Sequence, residues 1–273
     1  MRQSSESFAG RIAYYELPGF DMTELTAKQH GQLWLRGGLP RSLLARSNER
    51  SFEWRREFIR TFLERDLGSF GIRIPSTTMG RFWSMLAHYH GQVLNVSELA
   101  RSLGVSQKSI LRYLDVLSAT FAVHLLQPWH ANLKKRHVKS PKVYLSDCGL
   151  LHQLLGIDDR AGLEGHPKVG ASWEGFMIGQ VLLALGLRHQ DAFFWGLHSG
   201  AELDLFVPKG RQKLGFEFKR SSAPKLSASM RSAVENLGLS ELFVVYPGKE
   251  RFPLAKRVTA LPSAEVPYLA RGR

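Results

Sequence analysis

The chain has 273 residues, with 37 Lys plus Arg against 24 Asp plus Glu, a formal charge of +13 and a pI of about 10.1. An apolar content of 44% supports a sizeable core and excludes global disorder, while the single cysteine, Cys148, excludes an internal disulfide framework and a multi-thiolate zinc site and fits a reducing, cytoplasmic compartment. No signal peptide or membrane span is expected: the longest apolar stretch, Met177 to Leu187, falls short of the roughly 20 residues that a span requires.

In chain order, Arg11 to Glu16 (RIAYYE) reads as a short strand closed by Pro18 and Gly19. A GGLP turn at Gly37 to Pro40 lies in a helical region, Leu33 to Phe70, where Phe52, Phe58, Ile59, Phe62 and Leu63 form the apolar face. Ser76 and Thr77 are placed to cap the next helix, with Phe82, Trp83, Met85, Leu86 and Tyr89 as its stripe and Gly91 after it.

The segment VSELARSLGVSQKSILRYLDVL, from Val96 to Leu117, predicts a helix-turn-helix. Ser97 caps the first helix, Gly104 ends it and Ser106 caps the second, whose buried side is Ile110, Leu111, Leu114 and Leu117. Gln107, Lys108, Ser109 and Arg112 then face outwards. A strand at Phe121 to Leu126, a basic segment and a strand at Lys142 to Leu145 complete the layout of a winged helix. No acidic residue lies between Asp115 and Asp147, whereas Lys134, Lys135, Arg136, Lys139 and Lys142 are concentrated there. That pattern predicts contact with a polyanion, DNA foremost, through Gln107, Lys108, Arg112, Lys134, Lys135, Arg136 and Lys139.

A polar link around Asp158 to Gly170 leads into an α/β pattern. It comprises an apolar helix at Trp173 to Leu187, strands at Phe193 to Trp195, Leu203 to Val207 and Leu214 to Lys219, a helix at Ser227 to Leu237 and a strand at Leu242 to Tyr246. A hairpin centred between Gly210 and Arg211 sets Val207 opposite Leu214 and Asp204 opposite Glu217. Alternation places Leu203, Leu205 and Val207 on one face and Asp204, Glu217 and Lys219 on the other. Two hard carboxylates beside an ammonium suit Mg²⁺ and phosphate cleavage, with Lys219 acting on the attacking water or on charge at phosphorus. Glu174, on the preceding helix, is a candidate fourth member, and Glu202 can replace or supplement Asp204. The competing reading is a solvated strand face with a weak cross-strand ion pair.

From Ser5 to Lys219 the chain resembles the C-terminal part of a large prokaryotic family of AAA+ ATPases. The segments that carry the likeness are SFAGRIAYYEL, GGLP, FIRTFLERDL, MLAHYHGQVLNVSELARSLGVS, RYLDVL, KSPKVYLSDCGLLHQLLGI, GASWEGF, GAELDLF and FEFK. The resemblance implies an α+β multidomain chain: residues 1–30 as the end of an ATPase core, 31–157 as a helical and winged-helix domain, and 158–273 as an α/β domain similar to PD-(D/E)XK nucleases. It places Glu174, Asp204, Glu217 and Lys219 on nuclease-type motif positions, with Asp204 and Glu217 as metal ligands. The family's phosphate loop, G-x-x-x-x-G-K-[ST], has no counterpart here, since Gly210 to Gly215 is followed by Phe216. ATP binding is therefore not expected of this chain, which reads as shorter than the protein it derives from. Its partners would be DNA and an ATPase domain on another chain, with no membrane. The alternative function is a non-catalytic DNA- or protein-binding module.

Among other candidates, His88 and His90 flank a helical Tyr89 and point apart, so they do not form a metal pair. Cys148 lacks a neighbouring base and reads as a structural thiol, and the six tryptophans read as core or interface residues.

Overall fold

The structure is a computed structural model that describes residue 11, residues 17–129 and residues 138–270. Residues 12–16 of the strand expected at Arg11 to Glu16 and the basic residues Lys134, Lys135 and Arg136 lie outside the described residues. The fold is mixed α and β, with helices gathered around one nine-stranded sheet.

The first helices are α1 (His30–Arg36), α2 (Pro40–Leu43) and α3 (Asn48–Thr61). The GGLP turn separates α1 from α2: Gly37 takes φ +78°, and Pro40 occupies the first turn of α2, where a missing N–H costs nothing. A π-helical turn, Phe62–Asp66, joins α3 to the short α4 (Leu67–Ser69). Helix α5 (Ser76–Tyr89) buries Met79, Phe82, Trp83, Leu86 and Ala87. Its N-cap is Pro75 rather than Ser76 or Thr77, with no side-chain cap, because the fixed φ of proline sets the entry to the helix.

Strand β1 (Gln92–Val93), α6 (Val96–Leu103), α7 (Gln107–Ala119), β2 (Val123–Pro128) and β3 (Lys142–Leu145) follow. Gly104 ends α6 in the left-handed region, at φ +72° and ψ +34°, and Ser106 caps α7 by accepting from the Ser109 N–H at 3.1 Å. The cap of α6 is Asn95, not Ser97: Asn95 Oδ1 accepts from Glu98 N, and Ser97 lies two residues further, in the first turn, and donates to Asn95 Oδ1. Ile110, Leu114 and Leu117 are buried, but Leu111 is 51% exposed, since it sits one residue off the i, i+4, i+7 row that faces α6. Strand β2 starts two residues later than expected because Phe121 adopts φ +57° and turns its ring to solvent.

Beyond β3 come α8 (Cys148–Leu154), α9 (Arg160–Gly165), α10 (Val169–Leu185), β4 (Phe193–Gly196), β5 (Glu202–Lys209), β6 (Gln212–Phe218), α11 (Ala228–Leu237), β7 (Glu241–Tyr246), β8 (Phe252–Ala255) and β9 (Val258–Pro262). The sheet order is β1-β3-β2-β4-β5-β6-β7-β9-β8. Strands β1, β3 and β2 are antiparallel, and a parallel pairing of Gln127–Pro128 with Phe193–Phe194 carries the sheet from β2 into β4. The hairpin β5–β6 is antiparallel, and β6, β7 and β9 run parallel.

Among the described residues three apolar clusters make up the core. One joins α5, α6, α7 and β3 through Phe82, Trp83, Leu99, Ile110, Leu114 and Val143. A second lies under α10 and includes Leu33, Trp34, Trp173, Met177, Phe194, Leu205 and Phe216, so α1 shares a core with the strands of the α/β region. The third packs α11 on the opposite face, with Trp195, Leu203, Phe206, Met230 and Val244. Leu203 therefore does not share a face with Leu205 and Val207. The pairing of β4 with β5 shifts register between Phe193 and Trp195, so Leu203 and Phe206 oppose Trp195 and Phe193, and this bulge breaks the two-residue alternation beside Asp204.

Candidate acidic site at the junction of the two sheet halves

Strand β3 contributes Lys142, which the sequence places with the basic segment, and Tyr144, to which it gives no role. Val143 and Leu145 pack into the α5–α7 core, which turns Lys142 and Tyr144 to the opposite face, towards α10. Helix α10 comes close because Gly175 offers no side chain: a Cβ there would collide with the His90 imidazole and stand 3.1 Å from Tyr144 Cδ1. The preceding residue, Glu174, then accepts from Tyr144 Oη at 2.5 Å and pairs with Lys142 Nζ at 3.2 Å. Glu202, at the start of β5, pairs with the same ammonium from its other side.

The hairpin brings in the rest. Pairing runs from Lys209 opposite Gln212, through Val207 opposite Leu214, to Leu205 opposite Phe216. The next step sets Asp204 beside Glu217, and Asp204 Oδ2 accepts from the Phe218 N–H at 2.9 Å. Glu217 Oε1 pairs with Lys219 Nζ at 2.7 Å. Its other oxygen, Oε2, is buried and has no hydrogen-bond partner among the described residues. The glutamate side chain is 8% exposed and that of Lys219 is 43% exposed, so the pair reaches solvent through the lysine.

Burial and proximity set the protonation of this group. Burial, reinforced by the charge of Asp204, pushes Glu174 up to about 7 against the opposing pull of Lys142. Burial and Asp204 likewise push Glu217 up to about 8. Burial raises Asp204 too, resisted by Lys142 and the Phe218 N–H. Burial alone would lower Lys142, but Glu174, Asp204 and Glu202 overcome it and hold the ammonium above its ordinary range. Lys219 is raised in the same way by Glu217 and Asp204. All four expected members, Glu174, Asp204, Glu217 and Lys219, thus influence one another in one region. Lys142, Tyr144 and Glu202 complete the group.

Lys142 does not belong to a basic surface: it is 3% exposed and spent on carboxylates. A Lys and a Tyr two residues apart in an otherwise apolar strand were the available signal, since alternation gives them one face. Lys139 is exposed, as are Gln107, Lys108 and Arg112 on the outer face of α7. Among the described residues no three His, Cys, Asp or Glu side chains converge closely enough to cage an ion. Two shallow depressions lie apart from the acidic group: one of about 540 Å³ beside Met85 and Tyr89, and one of about 600 Å³ beside Leu44 and Trp54.

Other polar groups are structural. Trp34 Nε1 donates to Ser172 Oγ at 3.0 Å, Ser172 Oγ lies 2.7 Å from His152 Nε2, and His152 Nδ1 is 2.9 Å from Leu35 O. Ser172 and His152 are buried away from any substrate, and Ser172 Oγ also accepts from the indole N–H, so the pair is a core network rather than a nucleophile and its base. Burial pushes the Cys148 thiol well up, as befits a structural cysteine. No described helix is long and apolar enough to cross a membrane.

Two protein-family profiles match the chain, both described as domains of unknown function: DUF8612 over residues 27–161 and DUF4143 over residues 169–266. The relatives it matches include uncharacterized protein Rv2008c of Mycobacterium tuberculosis and uncharacterized protein Mb2031c of Mycobacterium bovis. Each is 52% identical over 263 residues, a stretch that covers 96% of this chain and 59% of the relative. No solved structure matches it. The chain therefore resembles, in order, two domains of unknown function, and spans about three-fifths of the length of these relatives.

Proposed function

We propose that this chain is the DNA-handling part of an AAA+ ATPase-related cytoplasmic protein, in which a winged helix grips the duplex and a PD-(D/E)XK-like domain hydrolyses phosphodiester bonds with Mg²⁺. The observation that carries this reading is the buried group Glu174, Asp204, Glu217 and Lys219, in which Glu217 Oε2 is left without a partner. An orphaned carboxylate oxygen beside a second carboxylate fits a hard divalent cation, so Asp204 and Glu217 would hold it, with Glu174 alongside. Such an ion lowers the pKa of bound water and polarises phosphoryl oxygen. Lys219, held protonated by Glu217, serves to offset negative charge on the phosphoryl oxygens rather than to abstract a proton. The order β1, α6, α7, β2, β3 after α5, with β3 between β1 and β2, supports the winged-helix assignment. Purified protein with DNA and Mg²⁺ or Mn²⁺ is expected to cleave, and Asp204→Ala and Lys219→Ala to lose about 100-fold or more. Equal cleavage by all three sinks the mechanism.

A second reading, a non-catalytic binding module, is favoured by the failure of three carboxylates to converge on one point among the described residues. In it the exposed face of α7 supplies the function through Lys108 and Arg112. The measured outcome is then DNA binding without divalent metal, weakening with salt. Replacing both residues by Ala removes about two phosphate contacts and reduces the magnitude of the log K against log salt slope by about 1.8. A slope unchanged by the double substitution removes α7 from the interface.

A further inference from the structure

We infer that Lys142 is a built-in counter-cation that competes with a divalent metal for the acidic group, so that the lysine-bound arrangement is a closed form of the site. This rests on the nuclease-type reading of Glu174, Asp204 and Glu217. The Lys142 side chain is 4% exposed and lies between Glu174, at 3.2 Å, and Glu202, with its ammonium 5.5 Å from the centre of the Phe194 ring. Glu174 is further tied by the Tyr144 hydroxyl at 2.5 Å. Of the acidic group, Glu174 Oε1 is therefore turned to an ammonium and a phenol and Asp204 Oδ2 to a backbone N–H, while Glu217 Oε2 is buried without a partner among the described residues. One oxygen of each carboxylate is thus held by a different partner, in keeping with the failure of three carboxylates to gather around one point among the described residues.

A divalent ion adds two positive charges where Lys142 and Lys219 already supply two, so binding with Lys142 in place is opposed by like-charge repulsion in a poorly solvated region. Binding becomes favourable when the ammonium swings out and releases Glu174. Lys142 begins β3, three residues after Lys139 at the end of the basic segment, and β3 also pairs with β1 and β2. A polyanion bound at the exposed Lys139 would thus lie three residues from the lysine that closes the acidic group.

The test is Mn²⁺ affinity, measured by calorimetry on the full chain without nucleic acid, for wild type, Lys142→Met, Lys142→Gln and Lys142→Arg. The neutral substitutions are expected to tighten Mn²⁺ by at least tenfold, and Lys142→Arg to leave it near wild type. Binding equal in wild type and neutral variants, at a stoichiometry abolished by Asp204→Asn, leaves the metal-site reading standing and overturns the counter-cation. Binding by none of them overturns both. Because a neutral residue at position 142 can impair folding, wild-type protein is also probed with a lysine-acetylating reagent and mass spectrometry. Lys142 is expected to be protected without metal and to become several-fold more reactive when Mn²⁺ is present at saturation. Reactivity unchanged by Mn²⁺ under those conditions overturns the inference without any variant.

Discussion

A Gly149→Ala protein is expected to lose about 3 kcal/mol or more of stability, seen as a melting temperature lower by roughly 10 °C for a chain of this size. Gly149 lies in the first turn of α8, where it rests on the end of α1. A Cβ at this position would overlap the Arg36 carbonyl and stand 2.8 Å from Gly37 N, so the obstacle is backbone and no rotamer relieves it. The backbone cannot retreat either, because the junction is bonded from both sides. Arg55, fully buried, donates from Nη1 to Gly149 O at 2.9 Å and to Leu35 O at 3.0 Å. Asp147 accepts from Gly38 N at 2.8 Å and Leu150 N at 2.9 Å, capping α8 and the GGLP turn with one carboxylate. Burial lowers the Arg55 guanidinium to about 10, opposed by Asp147, so it remains charged at neutral pH. Arg55→Met, which keeps much of the side-chain volume but strands both carbonyls, is expected to cost about 3–5 kcal/mol. A Gly149→Ala melting point within 3 °C of wild type would show that α1 and α8 can separate freely.

This junction also marks where the sequence was legible and where it was not. Short-range signals located most elements: the left-handed Gly104 after α6, Ser106 as the cap of α7, and the turn at Gly210 that fixes Val207 opposite Leu214. Because register follows from the turn, hairpin alternation by itself makes Asp204 and Glu217 neighbours. What local pattern does not encode is which element meets which. Strands β8 and β9, the pairing of β2 with β4, and the sharing of one core by Trp34 and Trp173 depend on contacts across the chain. Lys142 illustrates the consequence. In sequence it is one more cation in an acid-free stretch, and only the close approach of α10 at Gly175 and of β5 at Glu202 turns it into a buried partner of carboxylates. The bulge beside Asp204 was hidden for the same reason, since it arises in the pairing with β4 rather than within β5.

Stability measured in metal-free buffer is expected to peak just below pH 7 and to fall on both sides, for two different reasons. On the acid side the cause is histidine. Burial lowers His90 to about 3, His152 and His189 to about 4, and His124 well below its ordinary value, with the His124 and His189 rings stacked 3.7 Å apart. A histidine depressed in the folded state adds stability that is present above its unfolded value of about 6.5 and is lost as pH falls towards the folded value. Glu174 and Glu217 act with the opposite sign. Raised to about 7 and about 8, they favour the folded state fully below about 4.5 and lose that contribution as pH rises through the folded values. Between pH 5 and 6 the four histidines act against the raised carboxylates and set the sign, so stability falls on acidification. Between pH 7 and 8 the histidine contribution fades and the two glutamates set the sign, so stability falls as pH rises. Glu217→Gln is therefore expected to flatten the alkaline limb while leaving the acid limb intact, and His124→Asn to shallow the acid limb alone. The check is denaturant midpoints across pH 5 to 8.5 for the three proteins. An alkaline limb as steep in Glu217→Gln as in wild type would mean that Glu217 is already ionised in the fold, paired with Lys219 as an ordinary surface salt bridge.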